Sequence, residues 1–280
     1  MADSTSGSYL LVSVVFILSF IILQNFVKGT NYFLTLCPKT QKTLYLFHNL
    51  LTIKRLHLTP MKHELIQTSD GSTSLYIADL QETYHSKHGA LQETLHVFIQ
   101  NGLQLFQQQA VSILEIGFGT GLNALVTYLK HTDLNLSIHY ETVEAYPLSW
   151  EEASLMNFPS VLNTPALSPI FEQMHTCAWD EPIALSPTFS FKKRLQRFEE
   201  IDDSASFDLI YFDAFGAQVQ PELWEASIFQ KMYNALKPNG YLVTYAAKGS
   251  VRRAMQACGF GVERLPGPPM KREMLRARKG

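Results

Sequence analysis

From Val111 onward the chain alternates short, nearly all-apolar runs with longer segments whose apolar residues recur every three or four positions. That is the pattern of a parallel sheet covered by helices on both faces. VSILEIG (111–117) predicts a buried strand and GLNALVTYLK (121–130) the helix after it. SIHYETVE (137–144) predicts a second strand, and SWEEASLMNF (149–158) a helix that stops before Pro159. A less regular stretch follows, with prolines at 159, 165, 169, 182 and 187. Beyond it, FDLIYFDAF (207–215) reads as a strand and PELWEASIFQKMYNAL (221–236) as a helix opened by proline and ended by Lys237-Pro238-Asn239-Gly240. YLVTYAA (241–247) is the next strand, and SVRRAMQACG (250–259) a helix closed by Gly259. The last segment, GVERLPGPPMKREMLRARK, predicts two strands joined by a Gly/Pro turn. Residues 61–110 form a smaller antecedent segment, with a hairpin signal at Ser69-Asp70-Gly71-Ser72 and a helix from about Ala90 to Asn101. The expected fold is α/β and Rossmann-like, a mostly parallel sheet with a C-terminal antiparallel strand, in a body spanning 111–280.

Ahead of this body, Leu10 to Leu23 reads LLVSVVFILSFIIL, fourteen residues broken only by serines. That length is borderline for a membrane span, even when extended to residues 9–27. Only Asp3 precedes the run and Lys28 follows it, which is the wrong charge order for a secretory signal. Read literally, the run is an anchor whose following basic residues (Lys28, Lys39, Lys42, Lys54, Arg55) hold the body in the cytoplasm. The preferred reading makes residues 1–60 an upstream extension, because Met61 opens a segment with ordinary soluble alternation and nothing after it needs a membrane.

At 46% hydrophobic and 17% charged residues, 280 residues are enough for one large domain or two small ones, and a disordered tail protein is excluded. The three cysteines (Cys37, Cys177, Cys258) contain no CxxC pair, so neither a disulfide framework nor a zinc site is expected. His85 and His88 lack a carboxylate or cysteine at metal spacing and read as surface or substrate-loop residues. No metal is expected. The net charge of −2 hides an asymmetry: residues 61–247 carry nine basic against twenty-two acidic residues, and residues 248–280 carry nine basic against two acidic. A local basic patch is what a polyanion feels within a Debye length.

EIGFGTGLN (115–123) follows a strand and opens a helix, where a nucleotide-like cofactor sits in an open α/β sheet. Gly117, Gly119 and Gly121 allow a sharp turn and close backbone approach. The spacing lacks the helix-packing glycine of a dinucleotide site, and Glu115 lies two residues before the first glycine, which suits a cofactor whose amino-acid end is a cation. Glu144, twenty-three residues after Gly121, ends the next strand, where a carboxylate takes both hydroxyls of a ribose. Together these features favour S-adenosylmethionine over NAD. Asp213, at the tip of FDLIYFD, points into the same crevice and is the candidate for contact with the reacting group.

Four segments, ILEIGFGTGLN, FDLIYFDAFGAQVQPELW, GYLVTYAAKGSVRRAMQACGF and PPMKREML, resemble in order and spacing the tRNA wobble-uridine methyltransferases, the family of stand-alone MnmD and of the methyltransferase domain of bifunctional MnmC. The likeness runs from about Glu64 to the C-terminus and includes LQETLHVFI (91–99). It implies a class I methyltransferase fold over 111–280 and methylation of the aminomethyl group at C5 of the wobble uridine (U34), giving 5-methylaminomethyluridine, usually 2-thiolated. It implies no FAD, since the oxidoreductase half has no counterpart after KREML. The family's adenine-contacting carboxylate is replaced by FKKRLQRFEEIDD (191–203), where Glu199 or Glu200 would substitute.

The expected cofactor residues are therefore Glu115, Gly117, Phe118, Gly119, Gly121, Asn123 and Glu144, with Asp213 catalytic. An alkylamine is protonated near neutral pH, so Asp213 would hold the ammonium and accept or relay its proton. The aromatics Phe118, Phe215 and Tyr146 could stack on base or adenine. Glu93, Phe215, Lys248, Arg252, Arg253, Lys271 and Arg272 are the expected substrate and RNA contacts, with Arg276, Arg278 and Lys279 continuing the basic run toward a tRNA anticodon stem-loop. The alternative is a methyl- or aminopropyltransferase acting on a small amine, which predicts no salt sensitivity.

Overall fold

The computed structural model describes residues 62–280. The apolar run at 10–23 and the readings attached to it lie outside the described residues.

The first layer is a small antiparallel sheet: β1 (His63–Gln67) and β2 (Thr73–Ile77) pair antiparallel and β3 (Glu82–Thr83) adds to β2. The predicted hairpin turn is present. Asp70 accepts hydrogen bonds from Thr68 Oγ1 (2.7 Å), Ser72 N (3.1 Å) and Ser72 Oγ. Its second oxygen accepts the Gln92 amide at 3.0 Å. It thereby caps helix α1 (Ala90–Thr94), whose own N-cap, Gly89, has no side chain to do so. The predicted helix to Asn101 is interrupted: after Thr94 it widens into a π-helical turn, Leu95–Gln100.

The main sheet has strand order β10-β11-β9-β8-β4-β5-β7-β6. Its parallel centre comprises β4 (Ala110–Ile116), β5 (Ser137–Glu144), β7 (Phe189–Leu195), β8 (Phe207–Phe212) and β9 (Leu236–Thr244). The short β6 (Ile183–Ser186) closes one edge antiparallel to β7. β11 (Glu273–Arg278) and β10 (Gly261–Pro266) close the other. The chain leaves β4 toward β5 and β7 on one side and returns to β8 and β9 on the other, so the switch point lies between β4 and β8. Ligands bind there in open α/β sheets.

Two apolar layers flank the sheet. One contains Ile113, Tyr140, Leu209 and Tyr211 with α2 (Leu122–His131), the π turn and α5 (Ser168–Thr176). The other contains Leu114, Ile116, Ile210 and Phe212 with α6 (Ala226–Ala235) and α7 (Gly249–Ala257).

Several sequence expectations are corrected. The helix read at 149–158 is two short pieces, α3 (Trp150–Ala153) and α4 (Phe158–Val161). Ser149 and Glu152 form a capping box that starts α3, but Asn157 gives its side chain to the β1–β2 hairpin, accepting from Thr73 N and donating to Gly71 O. Pro159 therefore sits in the first turn of α4, where its missing N–H costs nothing. The helix read at 221–236 is a 3-10 turn, Pro221–Trp224, and then α6. The last apolar strand begins at Leu236, with a register shift opposite β8 and Asn239 at φ 68°. The irregular proline-rich stretch hides α5, β6 and β7.

Candidate active site

Strand periodicity decides which way the acidic residues point. Residues 113 and 115 of β4, 140, 142 and 144 of β5, and 209, 211 and 213 at the end of β8 alternate onto the face that packs α2. Glu115, Glu144 and Asp213 thus converge on one side of the sheet at the carboxyl ends of three neighbouring strands.

The loop between β4 and α2 needs left-handed backbone at three positions, with φ of +94° at Gly117, +50° at Gly119 and +77° at Gly121. At Gly117 a Cβ would lie 2.8 Å from the Asp213 carbonyl oxygen, so glycine also lets the loop sit against the end of β8. Glu144 fastens the loop: one oxygen accepts the Gly119 amide at 3.1 Å and the other the Tyr146 amide at 2.9 Å. The Tyr84 ring covers Gly119 and meets the Phe215 ring edge-on at 5.2 Å. Two histidines hold Thr120 from below: His85 Nε2 meets its hydroxyl at 2.6 Å and His175 Nε2 donates to its carbonyl at 3.2 Å. Burial lowers both imidazoles to about 4, so each is neutral at physiological pH.

Asp213 is held by a relay. Thr94 Oγ1 donates to Asn123 Oδ1, and Asn123 Nδ2 donates to Asp213 Oδ2, both at 2.8 Å. This fixes the amide orientation of Asn123 and leaves Asp213 Oδ1 without a donor among the described residues. Burial, and next the charge of Glu93, raise Asp213 to about 7; Asn123 and Lys271 act in the opposite direction. Lys271 itself bonds Glu93 and lies over the Tyr245 ring, 4.2 Å from its centroid. The Tyr245 hydroxyl donates to the Ala214 carbonyl at 2.8 Å.

Glu115 lies beneath this layer, fully buried, beside the Thr142, Asn123 and Tyr140 side chains. Burial raises it to about 8.

The structure therefore redistributes the expected roles. Gly117, Gly119, Glu144 and Asp213 meet at the crevice, with Phe215, Glu93 and Lys271 beside them. Glu115 shares their face of the sheet but is fully buried in the packed layer under α2, whereas Glu144 and Asp213 are partly exposed. Phe118 is also corrected: its ring is buried against His175 (4.8 Å) and Phe191 (5.9 Å), leaving only its backbone to the loop. The space over Gly121 is filled by His175 and Phe118. Asn123 is buried and spends its amide on Asp213, which makes it a positioning residue. Of the two histidines read as surface or substrate-loop residues, His85 is partly buried against the glycine loop and His88 is exposed. Glu199 and Glu200 turn to Arg197, through an ion pair at 3.6 Å and a backbone hydrogen bond at 3.2 Å.

The basic segment divides. Lys248 and Arg253 are exposed at the start of α7, just past the carboxyl end of β9, and Lys248 bonds Gln218, which bonds Glu82. Arg252 is half-buried on the same turn. Lys271 and exposed Arg272 precede β11, which runs antiparallel to β9, so they also lie at the crevice end. Arg276 lies midway along β11, paired with Glu263 at 2.8 Å. Arg278 and Lys279 sit at the opposite end of the sheet, bonded to Asn239 and to the Leu236 carbonyl. Sequence reading missed Thr94, Tyr84, Tyr245 and His175; only Thr94, one residue after Glu93 in LQETL, carried a signal.

This donor set fits a cationic ligand with neighbouring hydroxyls better than a pyrophosphate. The carboxylate of Glu144 already occupies a loop amide that a phosphate would take, and Lys271 is paired with Glu93. S-adenosylmethionine has that chemistry. Glu144 would retain lone pairs for a ribose diol, and an ionised Asp213 would offer negative charge to a sulfonium.

Residues 184–280 match the family Methyltransf_30, described as S-adenosyl-L-methionine-dependent methyltransferase. The chain is similar to bifunctional proteins MnmC of tRNA 5-methylaminomethyl-2-thiouridine biosynthesis. The one from Leptospira borgpetersenii serovar Hardjo-bovis is 32% identical over 216 residues, 69% of this chain and 32% of the relative. The one from Methylobacillus flagellatus is 27% identical over 240 residues, 79% of this chain and 36% of the relative. The chain thus spans about a third of the length of these curated relatives. The crystal structure of MNMC2 from Aquifex aeolicus matches with a TM-score of 0.60 at 20% identity, covering 94% of this chain and 83% of that one. It shares the fold. Among the described residues no helix is long and apolar enough to cross a membrane, and no cluster of metal-ligating side chains occurs.

Proposed function

We propose that this chain, which over residues 184–280 belongs to the S-adenosyl-L-methionine-dependent methyltransferases, methylates the primary amine of 5-aminomethyluridine at the wobble position of tRNA. The product is 5-methylaminomethyluridine, with or without 2-thiolation. The observation that carries the reading is Asp213: a carboxylate at the switch point, pinned on one oxygen and open on the other, with affinity for a proton near pH 7. The relatives' part in tRNA 5-methylaminomethyl-2-thiouridine biosynthesis supports it.

When bound, the cofactor supplies a methyl group on a sulfonium. The substrate arrives as an ammonium, which Asp213 Oδ1 binds and then deprotonates, freeing the nitrogen lone pair. Glu144 and the glycine loop hold the cofactor while Asn123, locked by Thr94, keeps the carboxylate aligned with the amine. Tyr84 and Phe215 shield this side of the loop from water. A tRNA substrate puts the site in the cytoplasm, and the anticodon stem-loop would meet the basic residues Lys248, Arg252, Arg253, Lys271 and Arg272.

The test uses the full chain with methyl-labelled S-adenosylmethionine, tRNA carrying the unmethylated aminomethyl group, spermidine as a small-amine control, and two salt concentrations. Label is expected on the wobble base and to fall with salt. kcat/KM is expected to rise about tenfold per pH unit up to about pH 7, because the base works only when ionised. Asp213→Asn is expected to keep cofactor affinity and lose about 100-fold or more in kcat. Label on spermidine alone, or near-normal turnover by Asp213→Asn, overturns the proposal.

A further inference from the structure

The segment between β10 and β11 is a rigid turn with an unusual occupant. Pro268 O accepts the Lys271 amide at 2.9 Å, and Gly267 N donates to Arg272 O at 3.1 Å, closing the hairpin. Gly267 is packed so closely that a Cβ would meet Lys271 O at 2.4 Å. His96 Nε2 reaches the Pro266 carbonyl at 2.8 Å and Lys271 bonds Glu93, so both flanks are tied to the helix beside Asp213. Pro269 and Met270 occupy the central positions of the turn. Met270 has φ +65°, the left-handed value that a type II turn demands and glycine or asparagine normally supplies. A methionine there is strained, and it is 80% exposed, the most exposed large apolar side chain among the described residues. Exposed Arg272 and ion-paired Lys271 follow it directly.

Strain, exposure and apolar character together make poor sense for packing and good sense for contact with a partner. The mouth of the site is the place for it. Asp213 is only partly exposed, and Tyr245 and Lys271 are among its neighbours. Enzymes that act on a base take it out of the stack, and methionine is among the side chains that wedge into the step so opened. Resting on the tRNA reading above, we infer that Met270 is an unstacking wedge: it enters the anticodon stack beside the wobble base as that base swings toward Asp213, while Arg272 steadies the adjoining phosphate.

The test compares two substrates of the full chain, a tRNA with 5-aminomethyluridine at the wobble position and a single-stranded trinucleotide centred on the same base, where little stacking has to be broken. Met270→Gly keeps the turn's backbone geometry and Met270→Leu keeps an apolar side chain. Met270→Gly is expected to lower kcat/KM on tRNA about tenfold, equivalent to about 1.4 kcal/mol, and to match wild type on the trinucleotide. Met270→Leu is expected to restore most of the tRNA rate. With 2-aminopurine placed beside the wobble base, fluorescence should rise on binding to wild type and much less with Met270→Gly. Equal losses on both substrates, or no loss on tRNA, overturn the wedge alone. A wild-type enzyme that methylates neither substrate overturns the tRNA reading and the wedge with it.

Discussion

Glu115 puts its carboxyl in a fully buried layer beside the Thr142, Asn123 and Tyr140 side chains. Burial is the main cause of its rise to about 8; hydrogen bonding by Thr142, Asn123 and Tyr140 pulls the other way, and the charge of Asp213 adds to the rise. The folded chain therefore keeps a proton at Glu115 that the unfolded chain releases above about pH 4.5, so folding stability falls as pH rises from there to about 8. Glu115→Gln removes this titration while keeping the shape. Its Tm is expected to exceed that of wild type by about 5 °C at pH 8.5, and the gap is expected to close at pH 5. Thermal melts of the two proteins across that range check it, and parallel curves would mean that Glu115 stays ionised. A neutral Glu115 also spares Asp213 a second negative charge, so Asp213 can ionise near pH 7. In the sequence Glu115 was visible only as an acidic residue before a glycine, which suggested a ligand contact. Its inward direction follows from counting alternate positions against Ile113, but its neighbours Tyr140 and Thr142 come from β5, which counting along β4 cannot reveal.

Among the elements, the β4–loop–α2 unit was the most legible, because three glycines between an apolar strand and an apolar-periodic helix leave few alternatives. What the glycines are for required the neighbours. Gly117 and Gly71 share positive φ, +94° and +84°, but a Cβ at Gly117 strikes the Asp213 carbonyl while one at Gly71 meets open space. Gly117→Ala is expected to lose about 3 kcal/mol and most cofactor binding; Gly71→Ala should lose about 1 kcal/mol and bind the cofactor normally. Urea midpoints and titration calorimetry separate the two, and similar losses in both would mean that the close approach to β8 is unimportant. Strand β7 was illegible for the opposite reason. FSFKKRL looks solvated, yet Lys193 and Arg194 are buried. The Lys193 ammonium bonds the His175 carbonyl and lies 4.6 Å from the Trp179 ring centroid, and Arg194 pairs with Glu141 and Asp203. Each partner comes from a different element, so no local pattern announces them. The break at Asn157 likewise depends on a hairpin more than eighty residues upstream.

For the described residues as a whole, the decisive property is where the folded sheet sends its charges. In sequence, residues 248–280 form one basic block of nine against two. Because β11 runs back along β9, folding divides that block: Lys248, Arg253, Lys271 and Arg272 lie at the crevice end, and Arg278 and Lys279 at the other. The antiparallel last strand was expected from the sequence, but the division also needs its register on β9, with Leu275 opposite Thr244 and Arg278 opposite Tyr241, which the sequence does not specify. If tRNA is bound over the crevice, only the first group releases counterions from its phosphates. Lys248→Gln, Arg253→Gln and Arg272→Gln are each expected to raise Kd for tRNA and to reduce the slope of log Kd against log salt by about 1. Arg278→Gln should leave both unchanged, although it alters net charge by the same amount. Equal effects from the two ends would mean that the tRNA responds to the overall charge of the protein and has no fixed seat above Asp213. An effect confined to the crevice end ties the polyanion to the site whose chemistry it is proposed to receive.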